Sequence, residues 1–230
     1  STNEELKSTL KAALSSAMSG ILLWSFDIGG FAGPLPSIDL YRRSTQMAVF
    51  TPVMQWHSEP DGGQFRDLMP GGEGNNERSP WNIALVNQQP KFIDEMRYWH
   101  ILRENLLPYI YESAKTAVQE SRPMMRPLIY DFQTDQNVID LEDEYLFGDQ
   151  LLIAPFMEEN ITTRKVYLPE GQWYDFFTNK CYEGKQWYIS DEESRMPVYV
   201  KAGASIPMKQ AGEIKIFHYG NKEKDSLVSE

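Results

Sequence analysis

The period of the hydrophobic positions changes along the chain and divides it. Thr2 and Glu5 stand at capping-box spacing, and Leu6, Leu10, Leu14 and Ala17 follow at helical intervals until Gly20, which predicts a helix over residues 3–18. Residues 21–26 are a short apolar run with large side chains, the pattern of a strand buried on both faces. The run ends at Asp27 and passes into Ile28-Gly29-Gly30-Phe31-Ala32-Gly33-Pro34, after which Ser37 is the N-cap of a second helix reaching about residue 50. A second apolar stretch, residues 52–56, leads to His57 and a long loop containing Gly62-Gly63, Gly71-Gly72 and Asn75-Asn76. Phe92, Met96, Trp99, Arg103, Leu106 and Ile110 then recur at spacings of four and three, an apolar stripe interrupted by Arg103 and kinked or divided at Pro108. The order helix, strand, helix, strand, helix predicts part of a parallel α/β sheet or barrel.

After Arg122-Pro123 the period falls toward two. Residues 128–132, 151–154, 165–168, 173–177 and 197–201 are short strand-like runs separated by Asp, Asn, Gly and Pro clusters, which predicts an antiparallel sandwich. The expected organisation is therefore residues 1–122 as an α/β domain and 123–208 as a β-sandwich. Residues 209–230, mostly polar but with Ile214, Ile216 and Phe217 among them, read as a tail or the start of a further β domain.

Composition narrows the partners. With 41% hydrophobic and 24% charged residues, the 230-residue chain has the make-up of a globular protein. Its 33 acidic and 22 basic side chains give a net charge of −11, which repels phosphate backbones and anionic lipid, so neither nucleic acid nor a membrane surface is an expected partner. Cys181 is the single cysteine, which excludes an internal disulfide and a multi-cysteine zinc site. It fits a reducing compartment such as the cytoplasm without requiring one. The chain begins at Ser1, inside a helix cap and without Met, as a piece of a longer protein would.

Reactive groups in parallel α/β folds collect at the carboxyl ends of strands, where Asp27 and His57 stand. Asp27 also reads as a loop cap, and His57 as a loop histidine bonded to backbone. The glycines after Asp27 allow a ligand to approach closely, and Phe31 can present its ring to a sugar face. His57, His100 and His218 are too scattered for a metal site, so no metal and no cofactor is expected. No Gly-x-Ser-x-Gly elbow is present, and Gly71-Gly72-Glu73-Gly74 lacks the Lys-Ser/Thr of a phosphate loop. Trp81, beside Pro80, reads as an anchor for the long loop or as a stacking ring. The aromatic clusters at residues 173–177 and 186–188 read mainly as packing, because alternate strand positions must face a core.

Eight segments, in order, resemble glycoside hydrolase family 31, whose members include α-glucosidases and α-xylosidases. They are Trp24-Ser25-Phe26-Asp27-Ile28-Gly29-Gly30-Phe31, Thr51-Pro52-Val53-Met54-Gln55-Trp56-His57, Arg78-Ser79-Pro80-Trp81-Asn82, Leu107-Pro108-Tyr109-Ile110-Tyr111, Met125-Arg126-Pro127-Leu128, the run at 147–155, that at 166–175, and that at 198–207. The resemblance covers residues 1–208. It implies the last strands and helices of a (β/α)8 TIM barrel followed by an antiparallel β-sandwich, with residues 21–26 and 52–56 in the places of the seventh and eighth strands. It further implies a retaining mechanism with two catalytic aspartates, both expected upstream of Ser1, so no catalytic residue is expected in this chain. By motif position, His57, Asp27 and Phe31 match substrate-binding residues of subsite −1. One departure is visible: many relatives carry Arg two residues before the histidine, where this chain has Gln55 followed by Trp56. The expected activity of the whole protein is α-glucosidase hydrolysis of α-linked oligosaccharides, with the remainder of the barrel as partner and this piece inactive alone. Alternatives are α-xylosidase, transglycosylase or lyase chemistry, or a non-catalytic sugar-binding or interaction module.

Overall fold

Thr2 opens the first helix as its spacing predicts: its hydroxyl accepts from the Glu5 backbone N–H at 3.2 Å, and the Glu5 carboxylate accepts from the Thr2 N–H at 2.8 Å. This computed structural model describes residues 2–32, 35–58, 78–190 and 195–220. The glycine- and asparagine-rich loop expected at residues 58–77 therefore lies almost wholly outside the described residues, as does the chain after residue 220.

Helix α1 (Asn3–Met18) buries Leu6, Leu10, Ala13, Leu14 and Ala17 along one stripe. Helix α2 (Ile38–Val49), capped by Ser37, is buried on most of its surface, Arg43 included. The Arg43 guanidinium pairs with Asp39 of the same helix at 3.4 Å, donates to the Ile161 carbonyl at 2.8 Å and lies 4.7 Å from the Phe156 ring. A short helix α3 (Pro80–Val86) follows, then α4 (Phe92–Asn105) and α5 (Leu107–Glu120), which Pro108 separates from α4 by occupying the first turn of α5.

Residues 21–27 and 51–57 run parallel and extended on either side of α2. They are joined by Val53 N–H to the Trp24 carbonyl at 3.2 Å and Ile28 N–H to the Gln55 carbonyl at 3.3 Å, with Asp27 and Gln55 as a parallel bridge. The expectation of a strand buried on both faces is corrected here. Trp24 and Phe26 pack on the core, but Ile21, Leu23 and Val53 are 49%, 43% and 43% exposed.

The β layer is one antiparallel six-stranded sheet in the order β1-β2-β3-β8-β5-β6, with two further strand pairs, β4–β7 and β9–β10. The strands are β1 (Met125–Pro127), β2 (Tyr145–Phe147), β3 (Leu151–Ile153), β4 (Arg164–Leu168), β5 (Gln172–Asp175), β6 (Cys181–Glu183), β7 (Gln186–Ser190), β8 (Val198–Lys201), β9 (Ser205–Gln210) and β10 (Glu213–His218). The central strands are buried on both faces, and alternate side chains enter different cores. Tyr145, Phe147, Leu151, Ile153, Val198 and Val200 join the core shared with the helices, whereas Leu146, Leu152, Trp173 and Tyr199 meet Val166 and Leu168 of β4 in a second core. Residues 128–130, expected in a strand, form a 3₁₀ turn after Pro127. Asp131, just beyond it, accepts from Arg122 at 2.5 Å and Arg126 at 3.0 Å, and those bonds turn the chain away from the sheet. The division expected at residue 208 falls inside the β9–β10 hairpin, and Phe217 and Tyr219 are buried in the helix-side core, so the β layer continues to about residue 220.

The joint between α5 and the β layer uses several of the family-like motifs. Tyr109 donates to the Phe147 carbonyl at 2.6 Å, and Gly148, at φ +64°, lies where a Cβ would collide with the Tyr109 hydroxyl. Arg126, fully buried, donates to the carbonyls of Pro123 and Gly148 and to the carboxylates of Asp131 and Asp149. Burial raises the Tyr109 phenol far above its ordinary value, so it stays a neutral donor.

Candidate functional site

Two parallel segments deliver the side chains that the sequence singles out to one place. Asp27 leaves the first segment and Gln55 and His57 leave the second, and alternation sends Gln55 and His57 to the same side. Gln55 Nε2 donates to Asp27 Oδ1 at 2.7 Å, and His57 Nδ1 lies 3.8 Å from that same oxygen. That distance is longer than a hydrogen bond. The Phe31 ring stands 5.0 Å from the His57 ring, tilted by 46°. All three sequence-expected residues, Asp27, Phe31 and His57, thus meet, with Gln55 as a fourth member.

The loop carrying Asp27 and Phe31 is pinned from behind. Gly29 has φ +74°, and a Cβ there would stand 2.8 Å from the Tyr41 ring. Its N–H donates to the Ser44 hydroxyl at 3.0 Å, and its carbonyl accepts from Arg78 at 2.7 Å. Tyr41 completes the brace by donating to the Arg78 carbonyl at 2.6 Å. Ser44 and Arg78 escape notice in the sequence because a helical serine and an arginine ending a loop carry no distinctive local pattern; Arg78 showed only as part of a family-like motif. Beside the brace lies a cavity of about 260 Å³, lined by α1 (Thr2, Glu5, Thr9) and by Asp27, Gly30 and Phe31.

The second segment is held by its carbonyls. Arg103, the residue that breaks the apolar stripe of α4, donates to Val49 at 2.8 Å, Thr51 at 2.5 Å and Pro52 at 2.8 Å. Tyr145 of β2 donates to Phe50 at 3.0 Å. Four successive carbonyls where α2 ends are therefore satisfied by side chains of two other elements, which aims residues 53–57. Burial lowers the Arg103 pKa to about 10, still leaving it charged at neutral pH.

Trp56 points away from His57, its ring edge-on to Trp81 at 5.4 Å and to His100 at 5.1 Å. Trp81 thereby braces the second segment, although its own surface is 49% exposed. Of the other aromatics, Trp173, Phe176 and Phe177 are buried, while Trp187 is 47% exposed. His100 bonds to the Met96 carbonyl behind Trp56, and His218 bonds to Ser205 in the β9–β10 hairpin.

Two parallel segments packed by helices and followed by an antiparallel β layer define the class of fold: part of an α/β barrel with an adjoining β domain. Residues 1–113 match the glycosyl hydrolases family 31 TIM-barrel domain, and residues 121–206 match the family 31 C-terminal domain. The chain belongs to glycoside hydrolase family 31. It is 37% identical over 230 residues to an isomaltosyltransferase of Sporosarcina globispora, covering 100% of this chain and 20% of the relative. It is also 37% identical over 178 residues to a 1,3-alpha-isomaltosidase of Kribbella flavida, covering 77% of this chain and 24% of the relative. Among solved structures it is similar to the cycloalternan-forming enzyme from Listeria monocytogenes in complex with pentasaccharide substrate, with a TM-score of 0.82 and 37% identity over 98% of this chain and 21% of that one. The chain thus spans about a fifth to a quarter of the length of these relatives.

Proposed function

We propose that this chain supplies one wall of the sugar pocket of a retaining α-glycosidase acting on α-linked glucose-containing oligosaccharides. The carrying observation is the convergence of Asp27, Gln55, His57 and Phe31 at the carboxyl ends of two adjacent parallel segments. In this reading, residues 1–122 complete the catalytic barrel, and the β layer from residue 123 onward is its proximal sandwich. Asp27 and His57 hold hydroxyls of the sugar in subsite −1, and Phe31 covers an apolar edge of its ring. Both catalytic carboxyl groups come from the upstream barrel. One forms the glycosyl-enzyme intermediate, and the other protonates the leaving oxygen and then deprotonates the acceptor, as retention requires. This chain does no proton transfer; it positions the sugar so that attack is in line.

The acceptor decides between hydrolysis and transfer. The likeness to an isomaltosyltransferase over all 230 residues supports transfer to a second sugar as the alternative to water. The test uses the full-length enzyme with α-glucosides, α-xylosides and isomaltosyl donors, with products separated by chromatography. Cleavage of α-glucosidic donors, with His57→Ala lowering kcat/KM by about 10–100-fold, is the expected result. Wild-type kinetics for His57→Ala would remove it from the pocket, and preference for α-xylosides would replace the substrate class.

A further inference from the structure

We infer that Gln55 is a positioning residue that fixes the rotamer of Asp27 through a neutral hydrogen bond, leaving the carboxylate's charge for His57 and the sugar. This rests on the proposed reading that Asp27 and His57 contact substrate. Three observations carry it. Gln55 Nε2 and Asp27 Oδ1 are 2.7 Å apart, the geometry of a strong amide-to-carboxylate bond. The two residues face each other as a backbone bridge, so the side-chain bond is superposed on a fixed main-chain distance and needs little ordering of its own. The same Oδ1 lies 3.8 Å from His57 Nδ1, so the oxygen that Gln55 holds is the one presented to the imidazole.

An amide donor differs here from a guanidinium. Arg at residue 55 would place a permanent positive charge on Asp27 and beside His57, pairing the carboxylate. Gln55 orients without neutralising, so Asp27 retains its full strength as an acceptor for a sugar hydroxyl. Gln55 and His57 are exposed and Asp27 is partly buried, and none of the three belongs to the packed apolar core.

A double-mutant cycle in the full-length enzyme tests this. Asp27→Asn alone tests the underlying reading: unchanged kcat/KM sinks the pocket assignment and, with it, the role of Gln55. If Asp27→Asn is impaired, Gln55→Ala is expected to lower kcat/KM by about 10–100-fold with an unchanged thermal midpoint. Combined with Asp27→Asn, it should add almost nothing, because it acts through a group already removed. Gln55→Glu keeps the shape, removes the donor and sets two carboxylates together, so it is expected to lose at least as much as Gln55→Ala. Fully additive losses, or a Gln55→Glu enzyme as active as wild type, would overturn the inference.

Discussion

Glu144 is a carboxylic acid in surroundings that its type does not suggest. It is fully buried on the β2–β4 side of the sandwich, where its Oε1 accepts from the Tyr167 N–H at 2.9 Å and faces Arg164 at 3.4 Å. Burial outweighs the Arg164 charge and raises its pKa from the ordinary 4.5 to about 8. Between those values the folded state binds the extra proton, so stability falls as pH rises through the window, by at most about 1.4 kcal/mol per pH unit, and levels off above it. Glu144→Gln should abolish that slope while keeping an acceptor for Tyr167. Urea midpoints measured at several pH values from 5 to 9 should show the variant gaining on wild type as pH rises. Parallel curves would mean that Glu144 titrates normally.

At the scale of elements, the arginine that mars the α4 stripe is informative. Arg103 is charged on an otherwise apolar helix face because three backbone carbonyls of the α2 turn wait there. Arg103→Leu restores the stripe and strands those carbonyls, which should cost about 2–4 kcal/mol. It should also reduce kcat/KM of the full-length enzyme, since the segment bearing Gln55 and His57 loses its aim. Denaturation midpoints and kinetics of the same variant check both, and an Arg103→Leu protein more stable than wild type would show that the bonds contribute less than the burial of the charge. The helices were legible from the sequence because their signals are local: the Thr2–Glu5 box, the Ser37 cap and Pro108 each act within one turn. The strands were less so. β2 and β10 are too short or too polar to stand out, and residues 128–130 have strand-like composition but are turned by Arg122 and Arg126 acting through Asp131.

For the whole molecule, the exposed faces of residues 21–27 and 51–57 matter most. Ile21, Leu23 and Val53 present apolar surface, and both extended segments have open edges, the condition that barrel closure removes. The 230 residues expressed alone should therefore bind a hydrophobic dye and self-associate, and co-expression with the upstream part of the barrel should suppress both. Dye fluorescence and gel filtration read the outcome; a monomeric, dye-silent fragment would mean that these edges are protected without the rest of the barrel.

The sequence by itself determined the helices that open at Thr2 and Ser37, the expectation of a change from α/β to β texture near residue 122, and the candidacy of Asp27, Phe31 and His57. These follow from periodicity, caps and motif order, all of which act between near neighbours. Only the tertiary structure decided that Gln55 bonds Asp27, that Arg78 and Ser44 brace Gly29, and that Arg103 holds the end of α2. Those contacts join residues separated by between 15 and 54 positions, where pairing depends on how helices and segments pack and leaves no local pattern in the chain.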